Sequence, residues 1–435
     1  MTGFDGNGAI EVARGERTVV VVPERSGDGS RRSSEARLDE ATGLAEAIGL
    51  QVVGRRGFRL RTLRPATLLG KGQVEETAKL AEENDAKLLI VDAELTPVQQ
   101  KNLEQESHCK VIDRTGLILE IFGERAATAE GRLQVELAHL DYQAGRLVRS
   151  WTHLERQRGG FGFLGGPGET QIEADRRMIR DRMARIRKEL EQVKRTRALH
   201  RDRRQRAPWP VIALVGYTNA GKSTLFNRMT GDQVFAENLL FATLDPTMRD
   251  VRLPGFDKVI LSDTVGFVSD LPTELIAAFR ATLEEVASAD LLIHVRNMAH
   301  FDHEAQLEDV NDVLKSLGLE EEGAPARIEA WNKLDLLGSE ERDAMLNEAA
   351  RRDDVVPISA LTGDGIDQLR ERMAEMLRKG EQVREVRLGT SEGARIAWLH
   401  ARGEVLDQEV EGNQIRLTVR LSDENWSRFQ STEPV

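Results

Sequence analysis

The chain has 435 residues, of which 40% are hydrophobic and 31% charged, values typical of a soluble globular protein with two or three domains. Its single cysteine, Cys109, excludes an intramolecular disulfide, and no Cys or His cluster has metal-ligand spacing. The net charge of −12 argues against nucleic acid as a partner of the whole surface, and the lack of a signal sequence or of an apolar run near ~20 residues predicts a cytoplasmic protein without a membrane span.

Residues 1–127 predict an N-terminal α/β domain. Runs of β-branched and other apolar residues predict strands at 18–24, 88–92 and 110–113. Helical stretches are predicted around 35–48, 73–84 and 96–107. Because strands and helices alternate, we expect a parallel sheet.

Residues 128–206 predict an antiparallel helical hairpin, which we call the arm. Apolar residues recur with 4-3 spacing from Leu133 to Leu154 and again from Ile179 to Val193. Each helix would contain about 24 residues and extend roughly 35 Å. The glycine-rich segment 159–168 cannot continue a helix and is predicted to form a loop at the tip.

The arm has an unusual charge. The segment from Arg176 to Arg206 contains fourteen Arg or Lys residues and four acidic residues. Its net charge is therefore +10, and that of the rest of the chain is −22. Such asymmetry indicates a polyanionic partner, although a charge run on a helix is also typical of a solvated face. Phe161 and Phe163 in the tip favour an arm that probes a partner over one that packs on its own protein.

Residues 207–380 begin with a phosphate-loop motif. An apolar strand precedes Gly216-x₄-Gly221-Lys222-Ser223, and a helix follows. The glycines let backbone N–H groups surround the β-phosphate, Lys222 reaches the β- and γ-oxygens, and Ser223 ligates Mg²⁺. The predicted phosphate-binding residues are Gly216, Tyr217, Thr218, Asn219, Ala220, Gly221, Lys222 and Ser223.

Two later segments predict that the base is guanine. Asp335, after a strand, can accept hydrogen bonds from both N1–H and N2–H of guanine, and adenine would leave that carboxylate unpaired. Asn332 can bridge to the phosphate loop, and the Ser359-Ala360 backbone can contact guanine O6. The predicted base-binding residues are Asn332, Lys333, Leu334, Asp335, Ser359, Ala360 and Leu361.

Two switch segments lie between these motifs. Asp263 is predicted to reach the Mg²⁺ sphere and the Gly266 N–H to reach the γ-phosphate. Thr243 is predicted as the second hydroxyl ligand of Mg²⁺ beside Ser223, with Thr247 as its competitor. The predicted switch residues are Phe241, Ala242, Thr243, Leu244, Asp245, Asp263, Thr264, Val265 and Gly266. Together these motifs predict binding of GTP and GDP.

The catalytic residue is unknown from the sequence. Many GTPases follow the switch glycine with a glutamine that orients water, whereas this chain has Phe267, whose side chain can neither donate nor accept a hydrogen bond. We therefore expect slow hydrolysis that a partner stimulates. An arginine finger cannot be assigned among Arg249, Arg252 and Arg280.

Residues 381–435 predict a small α+β domain, with a strand, a helix near 391–402 and a hairpin. The predicted fold class is therefore multidomain α/β. It combines the N-terminal parallel domain and arm, a P-loop GTPase domain with a mostly parallel sheet and helices on both faces, and the α+β C-terminal domain.

The motifs resemble the translation-factor class of GTPases. GGPGETQIEADRR (165–177), together with FATLDPT and DTVGF, is similar to the HflX family, and RPATLLGKGQVEE (64–76) resembles its N-terminal domain. The resemblance covers nearly the whole chain. It implies a ribosome-binding GTPase that engages the large ribosomal subunit and its RNA through the arm and separates stalled or idle ribosomes under stress. We separately expect the protein to be a monomer.

The chain departs from the family pattern in two places. The tip reads Phe163-Leu164-Gly165 where the family has an arginine, which favours stacking on bases over a basic contact. HVRNMAH (294–300) lacks the acidic residue expected after its strand.

Two alternatives remain open. One is a GTP-gated binding module for a regulatory RNA or protein. The other is an RNA-remodelling NTPase that uses the N-terminal domain, with Gly70-Lys71-Gly72 as a second anion site, although a plain helix start is favoured there.

Overall fold

A computed structural model describes residues 13–25, 32–157, 167–205, 209–231, 241, 244, 246–269, 286–319, 324–378 and 381–431. Within these ranges no helix has the length and apolar composition that crossing a membrane requires. Element boundaries fall near the predicted domain limits at 127, 206 and 380, which remain predictions.

The N-terminal domain contains a four-stranded parallel sheet of order β2-β1-β3-β4. Its elements are β1 (Arg17–Arg25), α1 (Ser34–Ala47), β2 (Gln51–Leu60), α2 (Lys71–Glu83), β3 (Leu88–Val91), α3 (Pro97–Ser107), β4 (Lys110–Asp113) and α4 (Arg114–Arg125). Residues Val19–Val22 of β1 are fully buried. The predicted parallel α/β fold is confirmed.

Strand β2 and helix α4 were not predicted. The β2 sequence contains Gly54, Gly57 and several arginines, and it forms the edge of the sheet, where a strand needs little apolar surface. The α4 sequence contains an apolar run too short to separate helix from strand by periodicity.

At the start of α2, Gly70 N donates to Gln73 Oε1 (2.8 Å). This contact is typical of a helix start, and it favours that interpretation of Gly70-Lys71-Gly72 over a second anion site.

The arm consists of α5 (Ala129–Gln157) and α6 (Pro167–Gln205), which have 29 and 39 residues and are longer than predicted. Arg182 of α6 forms a bidentate ion pair with Glu136 of α5 (2.7 and 2.9 Å). Helix α6 begins inside the predicted tip loop because proline, with its fixed φ, fits the first turn of a helix. Phe161 and Phe163 lie outside the described residues.

Helix α5 also packs on the N-terminal domain. Val135 and Ala138 are buried in the same core as α1 and α4. Asp113 at the end of β4 accepts from the Tyr142 hydroxyl (2.7 Å) and from Arg146 (2.6 Å). These contacts attach the base of the arm to the sheet.

The predicted GTPase domain contains a six-stranded sheet of order β10-β9-β8-β5-β7-β6. Its elements are β5 (Val211–Val215), α7 (Lys222–Thr230), β6 (Thr247–Leu253), β7 (Phe256–Asp263), β8 (Leu291–Asn297), α8 (His303–Ser316), β9 (Ala326–Asn332), α9 (Ser339–Ala349), β10 (Val355–Pro357) and α10 (Ile366–Leu377). Only the β6–β7 pair is antiparallel within the described sheet, so the predicted mostly parallel sheet is confirmed.

The C-terminal domain contains a three-stranded antiparallel sheet of order β11-β13-β12. Its elements are β11 (Glu381–Gly389), α11 (Gly393–Arg402), β12 (Glu404–Glu411), β13 (Gln414–Ser422) and α12 (Asp423–Ser431). Helix α12 was not predicted; its Phe429 is buried in the core with Leu399 and Leu417. The predicted α+β domain is confirmed.

Candidate nucleotide site

The phosphate loop connects β5 to α7, and its outer glycines are required by their surroundings. Gly216 (φ +146°) and Gly221 (φ +97°) adopt left-handed backbone conformations. A Cβ on Gly216 would lie 2.3 Å from Val295 O, and one on Gly221 would lie 2.2 Å from Asn332 Nδ2. Only glycine therefore lets the loop fold this tightly against β8 and β9.

Lys222 begins α7 with its side chain inside the loop. Its Nζ donates to Gly216 O (3.1 Å) and Tyr217 O (2.8 Å). Burial, with the neighbouring Lys333, lowers the pKa of Lys222 to about 8, although Asp263 opposes the shift. The side chain is therefore still mostly a cation near pH 7, as binding of phosphate oxygens requires.

Ser223 and Asp263 form the part of the predicted metal site that the structure describes. Ser223 Oγ donates to Asp263 Oδ2 (2.7 Å). A hydroxyl and a carboxylate are the hard oxygen ligands that Mg²⁺ prefers, so this pair fits the ion. Thr243 lies outside the described residues, and Thr247 pairs with Asp263 across β6 and β7.

The base-binding segments meet the phosphate loop through Asn332. Its Nδ2 donates to Ala220 O (2.8 Å), and its Oδ1 accepts from Ala360 N (2.9 Å). Lys333 Nζ donates to the side chain of Asn219 (3.2 Å). The three segments that the sequence assigned to phosphate and base are thus joined by direct hydrogen bonds.

The remaining base-binding candidates differ in exposure. Asp335 Oδ1 accepts from Ser359 Oγ (2.6 Å), which orients the carboxylate beside the Ser359 loop. Leu334 is buried, whereas Leu361 is 67% exposed. Leu361 is therefore on the open side of this loop.

Residues 263–269, which we call switch II, lie directly against the phosphate loop. Thr218 N donates to Phe267 O (2.7 Å), and Phe267 N donates to Gly216 O (3.1 Å). The Phe267 ring is buried in the apolar core. The side chain is thus packed among apolar groups and has no polar atom that could orient a reacting water.

Among the other switch candidates, Thr264 donates its hydroxyl to Leu214 O (2.6 Å), and Val265 is buried in the core. Of the arginine-finger candidates, Arg249 and Arg252 lie on edge strand β6 with exposed side chains, and Arg280 lies outside the described residues.

Two predicted nucleotide-binding residues point their side chains at the N-terminal domain instead. The Phe241 ring is 2% exposed and meets Phe122 of α4 edge to face, with centroids 4.7 Å apart. The Tyr217 hydroxyl donates to Glu40 of α1. Only the backbones of Phe241 and Tyr217 are therefore available to a nucleotide. Leu244 is buried in the same core, and Ala242 and Asp245 lie outside the described residues.

Strand β8, which lacks the expected acidic residue after it, contains an arginine whose positive charge is balanced by two carboxylates. Arg296 of β8 is 5% exposed and donates to Glu329 of β9 (2.8 Å) and to Glu304 (2.7 Å). Trp331 and Arg352 also donate to Glu329 (3.0 Å each). Burial acts to raise the pKa of Glu329, but these donors outweigh it and lower the pKa to about 2.

We expect Glu329→Gln to destabilise the protein by about 3 kcal/mol at pH 7, because it leaves Arg296 without its buried carboxylate. A carboxylate with a lowered pKa stabilises the fold above its unfolded value of 4.5, and this contribution is lost as the pH falls toward 2. Denaturant midpoints at pH 7, 5 and 3.5 should therefore converge between wild type and variant. Glu304→Gln, at a carboxylate 70% exposed, is the control and should change little. A gap that is constant with pH contradicts the prediction.

Four protein-family models match the chain in succession. They are described as GTP-binding GTPase N-terminal (35–123), GTP-binding GTPase Middle Region (125–204), 50S ribosome-binding GTPase (211–333) and HflX C-terminal domain (344–431).

Curated relatives named GTPase HflX are similar over most of the chain. The protein of Magnetococcus marinus is 48% identical over 401 residues, covering 92% of this chain and 91% of the relative. The protein of Escherichia coli K12 is 41% identical over 399 residues, covering 91% and 92%. The protein of Caldanaerobacter subterraneus is 40% identical over 421 residues, covering 97% and 95%.

Proposed function

The chain belongs to the HflX family of GTPases, and from this premise we propose that it uses GTP hydrolysis to control binding of the large ribosomal subunit. As a member of this GTPase family, the chain binds and hydrolyses GTP. The finer proposal is that a cytoplasmic monomer hydrolyses GTP slowly alone, is stimulated by the ribosome, and separates stalled or idle ribosomes under stress.

The observation that carries the ribosomal proposal is the exposed basic face of α6. Arg177, Lys188 and Arg195 are exposed, and helical geometry puts them opposite the apolar seam. That seam contains Met183 and Ile186, which are buried. A helix of 39 residues extends roughly 58 Å, long enough to carry this charge along ribosomal RNA. The family description of residues 211–333, a 50S ribosome-binding GTPase, supports the same partner.

We propose the following roles at the nucleotide. Lys222 binds the β- and γ-phosphate oxygens, and Gly266 N–H binds the γ-phosphate. Ser223 and Asp263, with Thr243, would hold Mg²⁺, which neutralises phosphate charge when bound. Asp335 binds the guanine edge. These roles rest on the short contacts among the phosphate loop, switch II and the Asn332 segment.

The slow basal rate follows from Phe267. Its ring is buried and has no hydrogen-bonding group, so it cannot orient the attacking water as a glutamine would. A ribosomal contact that orders the switch segments would supply this step.

The test measures GTP hydrolysis by the full chain alone, with 50S subunits, with 70S ribosomes and with an unrelated structured RNA, while co-sedimentation is followed in the same samples. We expect stimulation by large subunits but not by the unrelated RNA, and binding promoted by a non-hydrolysable GTP analogue. Turnover indifferent to ribosomes, with the protein in the supernatant in every nucleotide state, would refute the ribosomal proposal.

Removing charge from the arm should weaken ribosome binding. We expect the triple variant Arg177→Gln, Lys188→Gln, Arg195→Gln to bind 50S subunits at least about tenfold more weakly and to lower the slope of log affinity against log salt by roughly 2–3. Sedimentation at several salt concentrations measures both quantities.

The matched control removes three exposed charges from the N-terminal helices, Lys71→Gln, Lys79→Gln and Lys101→Gln. If this control weakens binding as much as the arm variant, the interaction reflects total charge and the arm has no special part in it.

A further inference from the structure

A buried polar cluster joins the N-terminal domain to the nucleotide site. It consists of Arg32, Glu40 and Arg114 from the N-terminal domain, Tyr217 from the phosphate loop and Ser269 from switch II; we call it the Glu40 cluster. The side chains of Arg32, Glu40 and Arg114 are only 6–7% exposed. Such a cluster is costly to bury unless its hydrogen bonds are satisfied.

Ser269 is bonded through all of its polar atoms. Its N–H donates to the Tyr217 hydroxyl (2.8 Å), and its carbonyl accepts from Arg114 (2.7 Å). Its hydroxyl donates to Glu40 Oε1 (2.8 Å). The N-terminal domain therefore holds the backbone of switch II three residues after Gly266.

Glu40 is the centre of the cluster. It accepts from Arg32, Arg114, Tyr217 and Ser269. Burial acts to raise the pKa of Glu40, but the two guanidinium groups outweigh it and lower the pKa to about 2. The Glu40 carboxylate is therefore ionised and can only accept hydrogen bonds, so the Tyr217 hydroxyl is the donor between these two side chains.

The other switch segment contacts the same domain through apolar groups. Phe241 meets Phe122 of α4, and Leu244, Phe267 and Val268 share one core with the helices of the N-terminal domain. Both switch segments are therefore packed on the N-terminal domain in this conformation.

In the same conformation, switch II closes on the phosphate loop. A Cβ added to Gly266 would lie 3.0 Å from Lys222 Nζ and 2.9 Å from Thr218 Cα. Phe267 is hydrogen-bonded to the loop through both its N–H and its carbonyl. A γ-phosphate that accepts from both Lys222 and the Gly266 N–H has to fit between Lys222 and Gly266, where an added methyl group alone would lie 3.0 Å from Lys222 Nζ, so switch II has to move away. GDP makes no such demand.

We propose that Glu40 is a positioning residue that, through Tyr217 and Ser269, holds switch II on the phosphate loop, so that the N-terminal domain favours GDP over GTP. The coupling is reciprocal: bound GTP weakens the contact between the two domains. This inference rests on the nucleotide site proposed above, and it adds a determinant of nucleotide preference that lies outside that site.

The test compares dissociation constants of fluorescent GDP and of a fluorescent, non-hydrolysable GTP analogue for the full chain. In Glu40→Gln, the ratio of the two constants should shift toward the GTP analogue by about tenfold, with GDP affinity within about twofold of wild type. Tyr217→Phe keeps the aromatic ring and the charges of the N-terminal domain, and it should shift the ratio in the same direction. This variant provides the test if Glu40→Gln does not fold. Glu46→Gln, at an exposed position of the same helix, is the control and should leave the ratio unchanged.

A purely structural role would weaken both nucleotides together or neither. If Tyr217→Phe and a folded Glu40→Gln both keep the wild-type ratio, the inference is wrong while the nucleotide site stands. If the wild-type chain binds neither nucleotide, the site itself is wrong. As a second readout, amide exchange in α1 should be faster with the GTP analogue than with GDP, and equal rates would contradict the coupling.

Discussion

Asp335→Asn should weaken GTP and GDP binding by about 10³-fold or more. The carboxylate offers two acceptor oxygens to the N1–H and N2–H of guanine, whereas asparagine replaces one acceptor with an NH₂ group that faces another donor. Ser359 already donates to Asp335 (2.6 Å), so the side chain is oriented before the base arrives. Equilibrium binding of fluorescent nucleotides measures the effect.

The same variant should gain affinity for xanthine nucleotides, because xanthine has a carbonyl where guanine has its amino group. We expect xanthosine triphosphate to bind Asp335→Asn more tightly than GTP does. Asp343→Asn, at an exposed position of α9, is the matched control and should bind GTP as wild type does. GTP affinity within tenfold of wild type for Asp335→Asn would mean that another group recognises the base.

Gly266→Ala should lower the rate of GTP hydrolysis by about 100-fold or more. The new methyl group would lie 2.9 Å from both the Cα and the Cγ2 of Thr218, closer than real Cβ contacts allow. The methyl group would also lie 3.0 Å from Lys222 Nζ, where the γ-phosphate has to fit, so it keeps the backbone N–H of Gly266 from approaching that phosphate. Single-turnover hydrolysis separates this loss from changes in binding.

Because GDP has no γ-phosphate to accept from switch II, Gly266→Ala should still bind GDP within a few-fold of wild type. Gly123→Ala, where an added Cβ meets nothing within 4 Å, should hydrolyse GTP normally. Normal hydrolysis by Gly266→Ala would show that switch II does not act through this backbone position.

The nucleotide site is largely visible in the sequence because its chemistry depends on short contiguous segments. The spacing from Gly216 to Ser223 determines a local backbone path, and Asp335 follows its strand by three residues. Such segments need only the common α/β framework to bring them together. The structure joins them through Asn332 at hydrogen-bond distances.

The sequence predicted some elements of the fold and missed others. The long 4-3 spacing identifies both arm helices, because a heptad seam extends over many turns. Strand β2 escaped prediction because two glycines and three arginines interrupt its apolar pattern, and pairing with β1 stabilises it instead. Helix α4 is recognisable only once its apolar run is packed in the core of α1 and the switch segments.

The sequence by itself therefore determined that this chain is a GTPase of the HflX family with a basic helical arm. Each of these features can be recognised from the spacing of residues or from the charge within a short segment. Only the tertiary structure revealed that Glu40 lies within hydrogen-bond distance of Tyr217 and Ser269. Arg32 and Ser269 are 237 residues apart, and no local pattern marks either as a partner of the other. Burial in a shared interface converts these ordinary polar residues into a charged cluster with defined geometry.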